Sequence, residues 1–276
     1  MLPSADYGRT GLRVSRLCFG TGQFQESRFN LTPEQGAVLL QHAYLLGVTF
    51  FDLAIGYGTH PHMGLALREI PRASVVIQSK TGAKTAAEAR TEIEQIIREL
   101  GSDYVDVLLL HGVSSAEDFA EREEALTELV RAKREGYVRF VGASTHIYTG
   151  SALASCVADP RIEVILALAN KGGFGLVGGD YPTHLAMLRQ ARVAGKAVCG
   201  MKVLGEGNLA DEAEEHMRYC FTIPEIDAVD LGMASLAHVD MAVAIARGEP
   251  VSAELVAAAR AGAKGEWVGE FIRGYK

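Results

Sequence analysis

Short, nearly continuous apolar segments alternate along the chain with amphipathic segments that have a helical period. The apolar segments predict eight strands, at residues 15–20, 48–53, 74–80, 104–111, 137–144, 163–169, 196–203 and 227–233. Because the apolar residues in them are contiguous and do not alternate with polar ones, we expect strands that are covered on both faces.

Helices are predicted between these strands. They lie at residues 33–46, 64–69, 85–100, 116–135, 149–158, 182–194, 209–220 and 235–247, and one more follows at 252–261. The first helix has Thr32 as its N-cap and Pro33 at its first position, and it stops at Gly47. Glycine ends several of the other helices in the same way, as Gly101 does after residue 100.

Eight strands that are each followed by a helix predict an α/β fold, a (β/α)₈ TIM barrel that forms one domain over residues 1–276. The barrel would occupy about 14–247, and a C-terminal helix and tail would occupy 248–276. A doubly wound open sheet is the alternative, and it usually carries a GxGxxG fingerprint after its first strand. Here the first strand leads into Gly20-Thr21-Gly22-Gln23-Phe24, which lacks that fingerprint, so the barrel is favoured.

The composition is typical of a globular protein, with 48% hydrophobic and 22% charged residues among 276. The net charge of -7 disfavours a nucleic-acid partner or an anionic membrane surface. No apolar stretch of about 18 residues could span a bilayer, and the first residues lack the apolar core of a signal peptide. Dispersed cysteines predict reduced, buried thiols. A cytoplasmic protein is therefore expected, and no heptad pattern indicates its oligomeric state.

Four residues capable of proton transfer stand at the ends of successive predicted strands. Asp52 ends one strand and Tyr57 follows it closely, Lys80 ends the next strand, and His111 ends the one after. Since the carboxyl ends of parallel strands meet at one rim of a barrel, we expect the four side chains to converge. A nearby ammonium group stabilises a phenolate, so Lys80 is predicted to lower the pKa of Tyr57, with Asp52 holding Lys80 in place.

These residues lie in segments that resemble the aldo-keto reductase family. The segments and residues that carry the resemblance are 8–17, 51–58, 64–67, Lys80, His111, 141–144, 201–207 and 230–235. The last two segments are similar to a branch whose members often carry a C-terminal iron–sulfur segment. This chain lacks the cysteines for that cluster, so we expect no iron–sulfur cluster and no metal.

The resemblance implies a barrel enzyme that reduces an aldehyde or ketone with NADPH or NADH, or oxidises the matching alcohol. By the same resemblance, Tyr57 would donate the proton to the carbonyl oxygen, and His111 would hydrogen-bond and orient the carbonyl. The expected partner is therefore a small-molecule carbonyl or alcohol substrate.

The resemblance also implies a path for the cofactor across the carboxyl ends of the strands. Ser144 and Asn170 would hold the nicotinamide carboxamide, and Gly20 and Thr21 would lie near the ring and its ribose. The residues implied along the pyrophosphate and at the adenosine end are Lys202, Gly205, Gly207, Gly232, Ser235 and His238.

After the eighth strand the chain departs from the pattern of NADPH-specific members of the family. Ser235 and His238 take the places of the basic residues that meet the 2′-phosphate, and Met241-Ala242 takes the place of a Glu-Asn pair for adenine. A 2′-phosphate would therefore meet little fixed positive charge, and NADH is an open alternative to NADPH.

Aromatic and imidazole side chains near the strand ends are candidates for the substrate pocket. They are Phe24, His146 and Phe174, with Trp267 and Phe271 in the tail. Phe174 belongs to a glycine-rich segment, 171–180, which lacks the ending of a P-loop and is predicted to cover the site. The histidines near the site have no i,i+4 pairing, so they do not predict a metal site.

Two other functions stay open at this point. The four residues could serve redox-neutral acid–base chemistry, as in a lyase, a dehydratase or an epimerase, with any nicotinamide cofactor staying bound. Alternatively, the barrel could be a nucleotide-sensing subunit without catalysis, although a sensor has less need of a complete set of proton-transfer groups.

Overall fold

The computed structural model describes residues 1–262 and contains a closed barrel of eight parallel strands. The strands are β1 (Ser4–Asp6), β2 (Arg13–Ser15), β3 (Leu17–Gly20), β4 (Phe50–Asp52), β5 (Val76–Thr81), β6 (Val105–Leu110), β7 (Val138–His146), β8 (Val164–Leu168), β9 (Ala197–Met201) and β10 (Ala228–Gly232). Strands β3 to β10 follow one another around the barrel, and β10 closes it by pairing with β3. The predicted (β/α)₈ barrel is confirmed.

The helices alternate with the barrel strands, as predicted. They are α1 (Pro33–Leu45), α2 (His60–Ala66), α3 (Ala86–Leu100), α4 (Ala116–Glu121), α5 (Glu123–Glu135), α6 (Ser151–Ala158), α7 (Tyr181–Val193), α8 (Ala213–Thr222), α9 (Leu236–Ala246) and α10 (Ala253–Gly262). Every residue of β5 and β6 is buried, which fits strands that have helices on one side and the barrel interior on the other. None of the helices within residues 1–262 is long and apolar enough to cross a membrane.

Local capping explains where the first helices begin. The hydroxyl of Thr32 accepts a hydrogen bond from the backbone N–H of Gln35, whose side chain accepts one from the N–H of Thr32. This reciprocal pair satisfies two N–H groups that the helix leaves unpaired at its start. The same arrangement joins Thr85 and Glu88 at the start of α3, which ends at Gly101 in the left-handed conformation.

Two predicted elements are divided in the structure. The predicted strand at 15–20 separates into β2 and β3, because the chain turns at Arg16, where the Ser15 hydroxyl donates to the Leu17 carbonyl. The predicted helix at 116–135 separates into α4 and α5 at Arg122, whose guanidinium binds Asp118. The α8 region also begins later than predicted, since residues 210–212 form a 3₁₀ turn.

The antiparallel pair β1–β2 covers the amino-terminal end of the barrel. Arg9 donates its backbone N–H to the Gly195 carbonyl at the entrance to β9, and Gly8 lies against the backbone of Ala197. Tyr7 is fully buried and packs edge-on against Phe50 in the barrel interior. This end is therefore closed, and the opposite rim is the one available for a site.

Candidate active site

The structure brings the four predicted proton-transfer residues together at the carboxyl ends of the strands. Asp52 ends β4, Lys80 lies near the end of β5, His111 directly follows β6, and Tyr57 lies in the 3₁₀ turn Ile55–Tyr57 after β4. The Lys80 ammonium forms an ion pair with Asp52, and it lies 4.8 Å from the centre of the Tyr57 ring. The rings of Tyr57 and His111 meet edge to face, with their centres 5.7 Å apart.

A chain of hydrogen bonds from the barrel interior holds Asp52 in place. Its Oδ1 accepts from the Gln78 amide at 2.8 Å, and the Gln78 carbonyl oxygen accepts from the Tyr7 hydroxyl at 3.0 Å. The Lys80 ammonium also donates to the Leu53 carbonyl at 2.8 Å. Asp52 and Lys80 are thus held on several sides, and both are almost completely buried.

Sequence analysis did not identify Gln78 or Tyr7. A signal for Gln78 is present, because it is a polar residue in an apolar strand and stands two positions before Lys80, on the same face. No such signal exists for Tyr7, whose role depends on the hairpin folding back into the barrel.

Burial sets the protonation states of this group. Burial alone would lower the pKa of Lys80, but the carboxylate of Asp52, together with Tyr57 and Asp230, raises that pKa above its usual value. Burial also raises the pKa of Tyr57, and the opposing effect of Lys80 does not overcome it. Lys80 does lower the pKa of Tyr57, as predicted, but the net shift is upward because desolvation of the phenolate outweighs the attraction of the ammonium. Tyr57 is consequently a protonated phenol at neutral pH.

His111 is neutral in this site. Burial, with the Lys80, Arg122 and Lys202 cations, lowers its pKa to about 3. The ring of His146 lies 5.0 Å from that of His111, centre to centre, and its pKa is also well below the usual value because of burial. An uncharged His111 thus stands beside the Tyr57 ring, and an uncharged His146 stands beside His111. Neither imidazole is basic enough to take the phenol proton at neutral pH.

A cavity of about 990 Å³ opens beside Tyr57 across the rim of the barrel, while Lys80 and His111 lie behind its lining. Its inner end is lined by Asp52, Tyr57 and His146, and its outer end reaches α8 and α10. The predicted cofactor residues that line it are Gly20, Lys202, Gly207, Gly232 and His238.

The chain follows an unusual path along one wall of this cavity. Lys202 and Glu206 both have left-handed backbone conformations, with φ angles of 59° and 57°, and their side chains form an ion pair. Gly205 and Gly207 on either side of Glu206 also have positive φ angles. This turn places a cation and closely approaching backbone beside the cavity, which are features of a phosphate site.

Several other predicted residues bind protein groups instead of facing the cavity. The Thr21 hydroxyl donates to the Asp52 carbonyl at 2.9 Å. Ser144 accepts from the Gly112 N–H at 2.8 Å. The Asn170 amide binds both backbone groups of Phe174, so it fixes the start of the glycine-rich segment.

The predicted substrate residues are divided between the core, the surface and the tail. Phe24 is 1% exposed and packs against Phe19 and His62 in the hydrophobic core, so it forms no wall of the cavity. Phe174 is 41% exposed and lies against the Gly205 turn. Of the predicted substrate residues within 1–262, His146 is the one that lines the cavity. Trp267 and Phe271 lie outside the described residues.

Ser235 and His238 supply no positive charge to the outer end of the cavity. Ser235 is the N-cap of α9 and accepts from the His238 N–H, while the His238 ring donates to the Ala259 carbonyl and accepts from the Ala234 N–H. Burial also lowers the pKa of His238, so its ring is neutral.

Within residues 1–262, the charged side chains that line this end are mostly acids. The lining includes Asp211, Glu212, Glu214 and Glu215, with Arg218 and Arg260 as cations. Arg218 is paired with Glu214, and Arg260 donates to the Asp211 carbonyl.

Sequence analysis also missed the cavity residues Gln23, Arg28 and Asp230. Arg28 donates to the Gln23 side chain at 3.2 Å in the loop after β3, and its charge acts on both Tyr57 and Lys202. No group of three or more His, Cys, Asp or Glu residues within 1–262 is arranged to hold a metal ion.

Comparison with known proteins places the chain among enzymes of this architecture. The profile of the aldo/keto reductase family matches residues 16–261. L-galactose dehydrogenase of Arabidopsis thaliana is 25% identical over 219 residues, which cover 74% of this chain and 66% of that protein. The NADH-specific methylglyoxal reductase of Escherichia coli (strain K12) is 25% identical over 163 residues, which cover 50% of each protein. The chain thus spans about half to two thirds of the length of these relatives.

A solved structure shares the fold over nearly the whole chain. The holo form of an aldo-keto reductase from Bacillus halodurans superposes with a TM-score of 0.74 at 18% identity, and the match covers 98% of this chain and 99% of that one. At this level of identity the likeness shows the barrel fold alone, while the family profile matches most of the sequence. The chain therefore belongs to the aldo-keto reductase family.

Proposed function

We propose that the protein reduces an aldehyde or ketone to an alcohol, or catalyses the reverse reaction, and that it uses NADH in preference to NADPH. The observation that carries the proposal is the buried Lys80–Asp52 ion pair beside the Tyr57 phenol, at the inner end of a large cavity. Membership of a family of NAD(P)H-dependent carbonyl oxidoreductases supports the reaction class.

Tyr57 is the general acid of the proposed reaction. It is protonated at neutral pH, so it can donate its proton to the carbonyl oxygen as negative charge develops there. Loss of the proton leaves a phenolate, which the Lys80 ammonium stabilises electrostatically. Asp52 keeps that ammonium in position, and Gln78 in turn orients the Asp52 carboxylate.

The two imidazoles orient the carbonyl group in this proposal. A neutral His111 can donate a hydrogen bond to the carbonyl oxygen without competing with Tyr57 as the acid. The Nε2 atom of His146 is buried and has no hydrogen-bond partner within the described residues, so it can serve a polar group of the substrate.

The cavity fits a dinucleotide in size and in the chemistry of its wall. Its volume of about 990 Å³ is at the upper end of the range of roughly 300–1,000 Å³ for small-molecule sites. Lys202 and the turn at Gly205–Gly207 would hold the pyrophosphate, and Gly20 and Gly232 belong to the cavity wall beside its path. A nicotinamide dinucleotide held in this way would supply the hydride for the carbonyl carbon.

The charge distribution supports NADH over NADPH. The 2′-phosphate of NADPH would enter the outer end of the cavity, where acidic residues predominate and His238 is neutral. The negative charge of the 2′-phosphate would be repelled by these carboxylates, whereas the 2′-hydroxyl of NADH carries no charge. A relative of this chain is named as an NADH-specific methylglyoxal reductase, which agrees with this choice.

The test is to follow nicotinamide absorbance with purified full-length protein. Methylglyoxal is supplied with NADH or NADPH, and L-galactose with NAD⁺ or NADP⁺, since relatives are named for these substrates. We expect turnover of at least one carbonyl or alcohol, and a kcat/KM about tenfold or more higher with NADH than with NADPH.

Two results would contradict the proposal. Higher kcat/KM with NADPH would show that the cofactor preference is assigned wrongly. A folded protein that retains nicotinamide without net oxidation or reduction, over a broad panel of carbonyl compounds, would point to redox-neutral chemistry.

A further inference from the structure

Asp230 is a second carboxyl group at the inner part of the cavity. It lies on β10, two residues before Gly232, and β10 pairs with β3 so that Gly232 stands opposite Gly20. Its side chain lines the same cavity as Asp52 and Tyr57. The proton-transfer mechanism proposed above gives Asp230 no task.

One oxygen of this carboxyl group lacks a partner. The Oδ1 atom of Asp230 is buried and makes no hydrogen bond within the described residues. A buried, unpaired carboxyl oxygen is costly, and such groups in native proteins commonly serve a ligand, an ion or a water molecule.

Gly20 makes room for this group. A Cβ atom at position 20 would lie 2.4 Å from Asp230 Oδ1, so the carboxyl group would have to shift to accommodate any side chain there. The absence of a side chain at Gly20 therefore leaves a recess between β3 and β10. The Asp230 carboxyl group fills this recess, and both residues line the cavity.

The charges around Asp230 come from three other strand ends. Asp52 is the nearby anion, and Lys80 and Lys202 are the nearby cations. Burial, reinforced by Asp52, raises the pKa of Asp230 well above its usual range, while the two lysines oppose that effect. In either protonation state the group offers an oxygen that accepts a hydrogen bond.

The parts of a nicotinamide dinucleotide differ in what they need from such a group. The pyrophosphate is an anion, which suits Lys202 and the glycine turn, and the adenosine belongs at the outer end of the cavity. The ribose beside the nicotinamide carries two hydroxyl groups that donate hydrogen bonds. Because this ribose is bonded directly to the nicotinamide ring, it must lie near Tyr57 when the ring is in position to react. The ribose is thus the part that matches an unpaired acceptor at the inner end.

We propose that Asp230 is a cofactor-binding residue that accepts a hydrogen bond from a hydroxyl group of the ribose attached to the nicotinamide. This inference rests on the proposed use of a nicotinamide dinucleotide. It adds an acidic contact from β10 to the site, beyond the four residues that handle the proton.

The test compares ADP-ribose with ADP by isothermal titration calorimetry. Both compounds carry adenosine and a diphosphate, but only ADP-ribose carries the second ribose. We expect Asp230→Ala to raise the Kd for ADP-ribose about tenfold or more and to change the Kd for ADP less than about threefold, because a hydrogen bond to an ionisable group is lost for one ligand only.

Two further variants control the experiment. Asp230→Asn keeps an acceptor oxygen and should stay within about threefold of the wild-type Kd for ADP-ribose. Asp240→Asn changes a carboxylate on the neighbouring helix α9 that pairs with His42 and does not line the cavity, so it should bind both ligands as the wild type does. Thermal melting of each variant checks that it is folded.

The outcomes separate this inference from the proposed function. Equal changes of Kd for the two ligands would mean that Asp230 acts through charge on the phosphates, and no change for either would remove it from the cofactor site. Both results overturn the inference while leaving the reductase proposal intact. Wild-type protein that binds neither NADH nor ADP-ribose would overturn both.

Discussion

Replacing Lys80 by Met tests the electrostatic part of the mechanism. The ammonium lies 4.8 Å from the centre of the Tyr57 ring; Lys80 is almost completely buried, and Tyr57 is partly buried at the cavity wall. At an effective dielectric constant of about 20, two unit charges at this distance attract each other by about 3.5 kcal/mol. The phenolate that forms as Tyr57 gives up its proton would lose that stabilisation in Lys80→Met.

The expected loss of rate follows from this figure. If the full phenolate charge develops in the transition state, kcat falls about 300-fold, and if half of it develops, kcat falls about 20-fold. We therefore expect a decrease between these limits at pH 7, with the Kd for NADH changed by less than about threefold. Steady-state kinetics and a fluorescence titration measure the two quantities.

The variant also leaves Asp52 buried without its cation, which can cost about 3–5 kcal/mol of stability. The double variant Asp52→Asn/Lys80→Met removes both charges, so it should regain stability without regaining activity. Lys84→Met removes a surface lysine that is 52% exposed and pairs with Glu121, and it should have wild-type kinetics. A folded Lys80→Met protein with kcat within threefold of the wild type would mean that Lys80 does not stabilise a developing phenolate on Tyr57.

Other consequences of the structure can be measured independently. Gly20→Ala should displace the Asp230 carboxyl group and raise the Kd for NADH about tenfold, and adding Asp230→Ala to it should cause little further loss, as calorimetry on both variants would show. His60 and His111 have pKa values of about 4 and about 3 when folded but about 6.5 when unfolded, so only the unfolded chain binds protons at these residues between pH 6.5 and 4. The free energy of unfolding should therefore fall as the pH is lowered through that window, by up to about 1.4 kcal/mol per pH unit for each group. Urea unfolding at pH 7.5 and at pH 5.0 measures this change, and equal free energies of unfolding at the two pH values would contradict it. His238→Arg should place a cation at the outer end of the cavity and raise the ratio of kcat/KM for NADPH to that for NADH, and an unchanged ratio would mean that the 2′-phosphate is bound elsewhere.

The barrel and its proton-transfer group could be predicted because their signals are local. Contiguous apolar segments between amphipathic ones indicate buried parallel strands. Asp52, Lys80 and His111 each follow such a segment directly, so the order of strands alone brings them to one rim. The N-cap at Thr32 was predictable for the same reason, since its partner is three residues away.

The remaining features depend on contacts between residues distant in sequence. Tyr7 reaches Gln78 only because the hairpin enters the barrel, and Phe24 lies in the core because its loop folds back against His62. Asp230 has the sequence pattern of an ordinary strand-end acid, and only the fold shows that its Oδ1 atom is buried beside Gly20. The direction of the Tyr57 pKa was also beyond sequence reasoning, because it depends on how far burial outweighs a nearby charge.

In the proposed mechanism, Tyr57 donates the proton that accompanies hydride transfer. The most direct test of this role is the oxidation of NADH with a saturating carbonyl substrate by wild-type protein, Tyr57→Phe and Tyr137→Phe, whose phenol is 40% exposed on the surface. We predict that Tyr57→Phe loses about 100-fold or more of kcat while its Kd for NADH stays within about threefold, and that Tyr137→Phe matches the wild type. Wild-type kcat in folded Tyr57→Phe would contradict the account.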